Sequence, residues 1–196
     1  MESDMTPWLA IRAAIDAAHA QDPEQVDGVA AALLYADRVE AWMPQLITPC
    51  GSFELLAGRC QHLERWAIPR DSYPMDRPSY LRWRKDLAAR QGERAAALAG
   101  AAGLDAQRCS CLQTVVAKRA AKGDPLAQAM EDAACLVFLE HHALAFAGTQ
   151  SREKVIAIIR KTWGKMSATG HGIALGLSLH PAVAELVGAA LAPDTP

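Results

Sequence analysis

The sequence predicts an all-α protein, and three features carry that prediction. Alanine is abundant, β-branched residues are sparse, and capping residues followed by proline recur where helices should begin. No segment alternates apolar and polar residues between hairpin turns, so a β-sheet is not expected. We expect a single compact domain over residues 1–196, with frayed ends at 1–5 and 192–196, built from about seven or eight helices.

Capping signals and prolines place the first four helices. Thr6–Pro7 and Asp22–Pro23 each pair a capping side chain with a proline at the first helical position, and Gly103 is placed to close the fourth helix in a left-handed conformation. The predicted helices run from Pro7 to about Ala20, from Pro23 to before Pro44, from about Phe53 to Ala67, and from about Ser79 to Ala102.

The second half of the chain has the same punctuation. Asp105, Asp124 and Ser151 are predicted N-caps of the fifth, sixth and seventh helices, and His180–Pro181 begins the last. We expect these helices to reach about Ala121, Ala147, Gly170 and the C-terminal residues, with Gly170 ending the seventh so that His171 projects from a turn.

Composition excludes several classes of protein. The 20 Lys and Arg against 22 Asp and Glu leave a net charge of −2, which argues against a broad nucleic-acid surface. The longest apolar run, Ala133 to Leu139, is too short for a bilayer. The acidic N-terminus and the five cysteines favour a protein of the reducing cytoplasm without a disulfide framework.

The sixth helix contains two carboxylates in line with its apolar face. At helical spacing Asp132 aligns with Leu136 and Leu139, and Glu131 aligns with Cys135 and Phe138. At least one must enter the core, where a carboxylate needs a cation, a metal or several donors. Either it pairs with a buried Arg and holds helices together, or it belongs to a functional site.

His62 shares one stripe of the predicted third helix with Leu55, Arg59, Leu63 and Trp66. A histidine on an apolar face is more often a core residue than a ligand. Its position just before an arginine-rich segment makes a functional role the alternative.

Arginines and aromatic residues are concentrated between Arg59 and Lys85. Guanidinium groups bind carboxylate and phosphate in bidentate fashion, and aromatic rings stack on bases or guanidinium groups. The segment predicts an anion site; the alternative is a set of structural ion pairs around a proline-rich loop. The candidate ligand-binding residues here are Arg65, Trp66, Arg70, Tyr73, Tyr80 and Arg84.

Basic residues near the end of the seventh helix offer a second wall for such a site. Lys161 and Lys165 are one turn apart and His171 follows. The alternative is that they complement the helix dipole.

Several long segments resemble a widespread family of small helical proteins of unknown function, sometimes labelled glutamyl-tRNA synthetase-like. The matching segments are Gln61-His62 to Arg65-Trp66-x-Ile68-Pro69-Arg70, Tyr73-Pro74-Met75-x-Arg77, Tyr80-Leu81-x-Trp83-Arg84, Glu131-Asp132-x-Ala134-Cys135-Leu136-Val137-Phe138-Leu139-Glu140, and Lys161-Thr162-Trp163-x-Lys165-Met166-Ser167-x-x-Gly170-His171.

The helix order is also distantly similar to the HD-domain metal-dependent phosphohydrolases. Tyr35 stands where that superfamily has its first His, His62 matches the His of the His-Asp pair with Leu63 in place of the Asp, and Asp132 matches the later Asp. The resemblance implies an HD-like fold, one divalent metal ion on His62 and Asp132, and phosphoester hydrolysis by these two residues. A catalytic metal generally needs at least three protein ligands, so a third would have to be rebuilt from Glu64, Glu131, His142 or His171, with Glu131 taken as the further catalytic candidate.

The sequence therefore predicts an HD-like helical domain whose partner is a small anionic ligand, phosphorylated or nucleotide-like. Common nucleotide, dinucleotide, zincin and esterase motifs are absent from the chain. The alternative function is a non-catalytic interaction or regulatory module whose ionic residues are structural.

Overall fold

The computed structural model describes the backbone of residues 2–192 and the side chains of residues 7–192. Of the ends predicted to fray, residues 1 and 193–196 lie outside the described part, and residues 2–5 belong to the first helix. The chain divides into two compact units, one ending at Ala127 and one beginning at Gln128. Both are helical, which confirms the all-α prediction.

Five helices and one small hairpin make up most of the first unit. The strands are β1 (Gln25–Val26) and β2 (Val29–Ala30), and the helices are α1 (Glu2–His19), α2 (Ala31–Leu46), α3 (Ser52–Arg59), α4 (Arg77–Ala101) and α5 (Ala106–Val116). Pro7 and Pro44 lie inside helices, so the expectation that they mark helix ends was wrong. Each proline removes one backbone hydrogen bond near a helix end without stopping the helix.

The expected absence of a sheet was also wrong in one place. Antiparallel β1 and β2 are joined by Asp27–Gly28, with φ of 51° and 80°, the positive angles that an Asp-Gly hairpin turn requires. Asp22 contacts the first turn of α2 from across the hairpin, because its Oδ2 accepts from the Ala32 amide at 2.9 Å. The predicted N-cap was therefore wrong, because the hairpin lies between Asp22 and α2, and Ala30 is the N-cap of that helix.

The third helix is shorter than the sequence predicts. α3 ends at Arg59, and the chain continues through turns with His62 and Glu64 at φ of 61° and 47°. Left-handed residues of this kind interrupt a helix. His62 therefore lies in a turn, and the stripe that placed it on one helix face with Trp66 does not exist.

Close approach between α4 and α5 depends on one glycine. A Cβ on Gly92 would lie 2.5 Å from the Gln113 carbonyl oxygen and 2.8 Å from the Ala117 Cβ. Asp105 caps α5 by accepting from the Arg108 amide at 2.9 Å, as predicted. The helix ends earlier than expected, before Lys118 at φ of 56°.

The second unit begins inside the sixth helix. Its elements are α6 (Pro125–Val137), a π-helical turn (Phe138–His142), α7 (Ala143–Ala147), α8 (Arg152–Trp163), α9 (Ala168–Leu175) and α10 (Pro181–Leu191). The predicted N-cap Ser151 is in place, and the last helix begins at His180–Pro181 as predicted. Gly170 and His171 lie within α9, so the prediction that Gly170 ends a helix was wrong.

None of the helices in the described part of the chain is long and apolar enough to cross a membrane.

Candidate anion-binding site

Two short 3-10 turns and the start of α4 carry the predicted anion site. The turns are Arg65–Ala67 and Arg70–Ser72. Asp76 then caps α4 by accepting from the Ser79 amide at 2.7 Å. Hydrogen bonds from the amide and the hydroxyl of Ser79 lower the pKa of the Asp76 carboxyl. Because the cap fixes where α4 begins, Tyr80, Trp83 and Arg84 fall in its first turns.

Two aromatic rings of α4 form the base of the site. Trp83 is 6% exposed, and its Nε1 donates to the Ile68 carbonyl at 2.8 Å. Tyr80 is 41% exposed, with its ring centroid 5.9 Å from that of Trp83. One ring is thus fixed by burial and the other faces solvent.

Three guanidinium groups lie over these rings. Arg65 lies 5.3 Å from the Trp83 centroid, Arg84 lies 5.9 Å from that of Tyr80, and Arg70 lies within 6 Å of both, at 5.7 Å from Tyr80 and 5.9 Å from Trp83. We name Arg65, Arg70, Arg84, Tyr80 and Trp83 the arginine cluster. The structure brings together four predicted site residues, and Trp83 joins them.

Arg70 has a structural role within the cluster. Its Nη1 donates to the Tyr73 carbonyl at 3.0 Å and its Nη2 to the Pro74 carbonyl at 2.9 Å. Tyr73 in turn donates from its hydroxyl to Asp86 Oδ2 at 2.9 Å, a bond that raises the pKa of Tyr73. Both side chains hold the proline-rich loop, but through hydrogen bonds and not through the ion pairs that the structural alternative expected.

Arg65 and Arg84 differ from Arg70. Within residues 7–192 neither has a described hydrogen bond or ion pair. Desolvation lowers the pKa of Arg65, Tyr35 and Tyr80 raise it, and the positive charge of Arg84 lowers it. The two guanidinium groups therefore lie close enough to repel each other and have no described carboxylate between them.

His62 lies beside a further ring. It stacks on Tyr35, with centroids 4.6 Å apart and planes at 17°. Tyr35 also acts on the pKa of Arg65, so His62 and the cluster share a neighbour. Trp66 is half-buried, and its predicted stacking role stays a prediction.

The second unit shows which carboxylate of α6 turns inward. Asp132 is 1% exposed and accepts from the Ser167 amide at 2.8 Å, the Ser167 hydroxyl at 2.5 Å and Gln128 Nε2 at 3.0 Å. Glu131 is half-buried and pairs with Lys165 at 3.2 Å. Asp132 is thus satisfied by hydroxyl and amide donors, and the expected buried Arg partner is not among them.

The predicted second wall is partly structural. His171 stacks on Trp163, with centroids 4.2 Å apart, and its Nε2 donates to the Trp163 carbonyl at 2.8 Å. This pairing joins the end of α8 to α9. Lys161 is exposed, and its role in binding stays a prediction.

Among the described residues, no group of three or more His, Cys, Asp and Glu side chains is arranged to hold a metal ion. His62 belongs to the first unit and Asp132 to the second. The described residues therefore give the predicted metal ligands no third partner.

The sequence did not single out Trp83 as a site residue. Its spacing of three from Tyr80 was the available signal, because residues i and i+3 share a helix face. The sequence also grouped Arg59 with the anion site. The structure instead pairs Arg59 with Asp16, Asp37 and Glu40.

The fold and the cluster define an all-α protein with a cationic, aromatic surface cluster. The chain belongs to the DUF4202 family, described as a domain of unknown function, whose profile matches residues 10–187. No curated protein and no solved structure gives a significant match. The family assignment supports the resemblance to a helical family of unknown function; the likeness to HD-domain phosphohydrolases stays a prediction.

Proposed function

We propose that this protein binds a small anionic ligand, phosphorylated or nucleotide-like, at the arginine cluster. The observation that carries the proposal is the pair Arg65 and Arg84, which lie over aromatic rings without a described carboxylate partner. An anion between them would relieve their repulsion and accept charge-assisted hydrogen bonds. The exposed Tyr80 ring offers a stacking surface for a base.

A thermal-shift screen of nucleotides and phosphorylated metabolites tests this proposal. At least one should stabilise the wild type in a saturable way and fail to stabilise an Arg65→Gln, Arg84→Gln double variant. Arg82→Gln and Arg77→Gln remove two exposed charges from the same helix and form the matched control. Equal stabilisation of all three proteins, or of none, contradicts the proposal.

Hydrolysis of the bound ligand is the finer hypothesis, with His62 as the base. Its support is the Tyr35 ring, which stacks on His62 and also raises the pKa of Arg65, so His62 and the arginine cluster share this neighbour. Release of phosphate from a ligand found in the screen, lost in His62→Ala while binding is retained, supports it. A bound phosphoester that stays intact contradicts it.

A second candidate is a protein-interaction module. Met75 and Leu81, which flank the start of α4, are 80% and 55% exposed, and exposed apolar side chains next to charges are typical of interaction surfaces. A Met75→Ser, Leu81→Ser variant separates the two functions. It should keep ligand binding under the first proposal and lose a stoichiometric partner under the second.

A further inference from the structure

An ionic network centred on the buried Arg59 lies where α1, α2 and α3 meet, and it shares no residue with the arginine cluster. Arg59 is 2% exposed. Its Nε donates to Asp16 of α1, and its Nη1 donates to Asp37 and Glu40 of α2 at 2.7 and 2.6 Å. These bonds raise the pKa of Arg59 against the lowering effect of burial, so the guanidinium is charged.

The network has more negative than positive charge. Arg12 adds a second cation through ion pairs with Glu40 and Asp16. Two guanidinium groups and three carboxylates give a net charge of −1. An anionic ligand at this place would be repelled, so the network differs from the arginine cluster in the charge of the ligand that it favours.

A cavity of about 170 Å³ that is partly open to solvent borders this network. Its walls are mainly apolar, and they include Trp8, Leu55 and Leu56 together with Arg12, Glu40 and Arg59. An apolar cavity of about 150 Å³ is large enough to bind benzene. The space is thus suited to one small ring or a short branched chain.

One donor of Arg59 is left over. Its described hydrogen bonds use Nε and Nη1, and no acceptor for Nη2 is described within residues 7–192. Arg59 lines the cavity, so Nη2 can donate to an acceptor bound there in place of solvent.

We propose that this cavity binds a small neutral compound with an apolar, ring-sized body and one hydrogen-bond acceptor, such as a ketone or an amide. The body packs against Trp8, Leu55 and Leu56, and the acceptor accepts a hydrogen bond from Arg59 Nη2. A ligand carboxylate would be repelled by the net negative charge of the network, and a ligand ammonium would offer no acceptor to the Nη2 donor. This site is independent of the anion site proposed above.

Titration calorimetry of the full chain with four matched compounds tests the proposal. The probes are acetophenone, toluene, benzoate and benzylamine, and the Trp8 indole resonance, assigned with Trp8→Phe, reports the site. Acetophenone should bind saturably and shift that resonance. Toluene, which lacks the acceptor, and the two charged compounds should each bind at least about tenfold more weakly.

A Leu55→Trp variant fills the cavity and should weaken acetophenone binding by at least about tenfold. Leu144→Trp, at a 45% exposed position of α7, makes the same change elsewhere and should leave binding unchanged. The proposal is overturned by an unshifted Trp8 resonance in the wild type, by equal binding of toluene, by tighter binding of either charged probe, or by undiminished binding to a folded Leu55→Trp protein.

Discussion

Asp132 and Ser167 are joined by two hydrogen bonds, one from the Ser167 amide at 2.8 Å and one from its hydroxyl at 2.5 Å. Ser167 is also the N-cap of α9, where its hydroxyl oxygen accepts from the Gly170 amide at 3.1 Å. The buried carboxylate of α6 therefore fixes the start of α9, where a helix N-terminus favours negative charge.

Ser167→Ala and Asp132→Asn should be strongly non-additive. Ser167→Ala removes a helix cap and leaves Asp132 Oδ2 without its hydroxyl donor, which should lower the free energy of unfolding by about 1–3 kcal/mol. Asp132→Asn should cost a similar amount, about 1–3 kcal/mol, because the amide nitrogen faces donors. Urea unfolding of both single variants and the double variant measures the coupling. Simple addition of the two losses would contradict the shared contact.

Gly170→Ala should destabilise the protein although the residue lies within a helix. A Cβ there would lie 2.8 Å from Asp132 Cγ and 2.9 Å from its Oδ1, an overpacked contact that costs about 1–3 kcal/mol. Gly172→Ala is the control in the same helix, because a Cβ there meets nothing within 4 Å. It should gain about 0.5–1 kcal/mol from helix propensity. The melting temperatures of the two variants should shift in opposite directions relative to the wild type. A shift of the same sign and size in both would contradict the close packing at Gly170.

Arg59→Met should be among the most damaging substitutions in the first unit. It leaves three carboxylates, which are 12–52% exposed, without their buried cation, and because solvent screens part of the remaining charge the loss should be about 2–4 kcal/mol. Arg94→Met breaks an ion pair with Glu64 at 2.8 Å where the Arg side chain is 43% exposed, and it should cost below about 1 kcal/mol. Denaturant midpoints of the two variants measure the losses in stability. Similar losses would contradict the prediction that burial makes Arg59 the more important residue.

His19 should make stability depend on pH. The residue is fully buried, its Nε2 donates to the Arg59 carbonyl at 2.9 Å, and Nδ1 has no partner among the described residues. Burial is the main cause that lowers the pKa of His19 below 6.5. Between the folded pKa and pH 6.5 the unfolded chain therefore binds more protons than the folded chain. The contribution of His19 to the free energy of unfolding is fully present above pH 6.5 and is lost as the pH drops from 6.5 towards the folded pKa.

The measurement for His19 is the difference in unfolding free energy between the wild type and His19→Gln across that range. The glutamine keeps a donor for the Arg59 carbonyl and does not titrate. The wild type should lose its advantage as the pH falls. A difference that stays constant would show that His19 titrates equally in the folded and unfolded chain.

Local signals allowed correct prediction of some helix starts but not of every connection. Asp105 and Ser151 were identified as caps because a cap depends on residues within one turn. The hairpin at Asp27–Gly28 was missed although Asp-Gly is a strong turn signal, because each strand has only two residues. His62 was assigned to a helix because nothing in its neighbourhood marks a left-handed turn.

Partners distant in sequence could not be predicted. Spacing put both Glu131 and Asp132 in line with apolar residues, and the choice between them depends on Ser167, which lies 35 residues beyond Asp132. The same holds for Arg59, whose carboxylates come from two other helices. The arginine cluster was predictable because its residues lie close together in the chain.

The most direct test of the anion site is an anomalous difference map from crystals soaked in tungstate, a heavy-atom analogue of phosphate. The strongest anomalous peak should lie within hydrogen-bonding reach of both Arg65 and Arg84, next to the Tyr80 ring, and it should disappear in Arg65→Gln, Arg84→Gln crystals. A strongest peak elsewhere on the protein, or no peak at all at tungstate concentrations that stabilise the protein in solution, would contradict it.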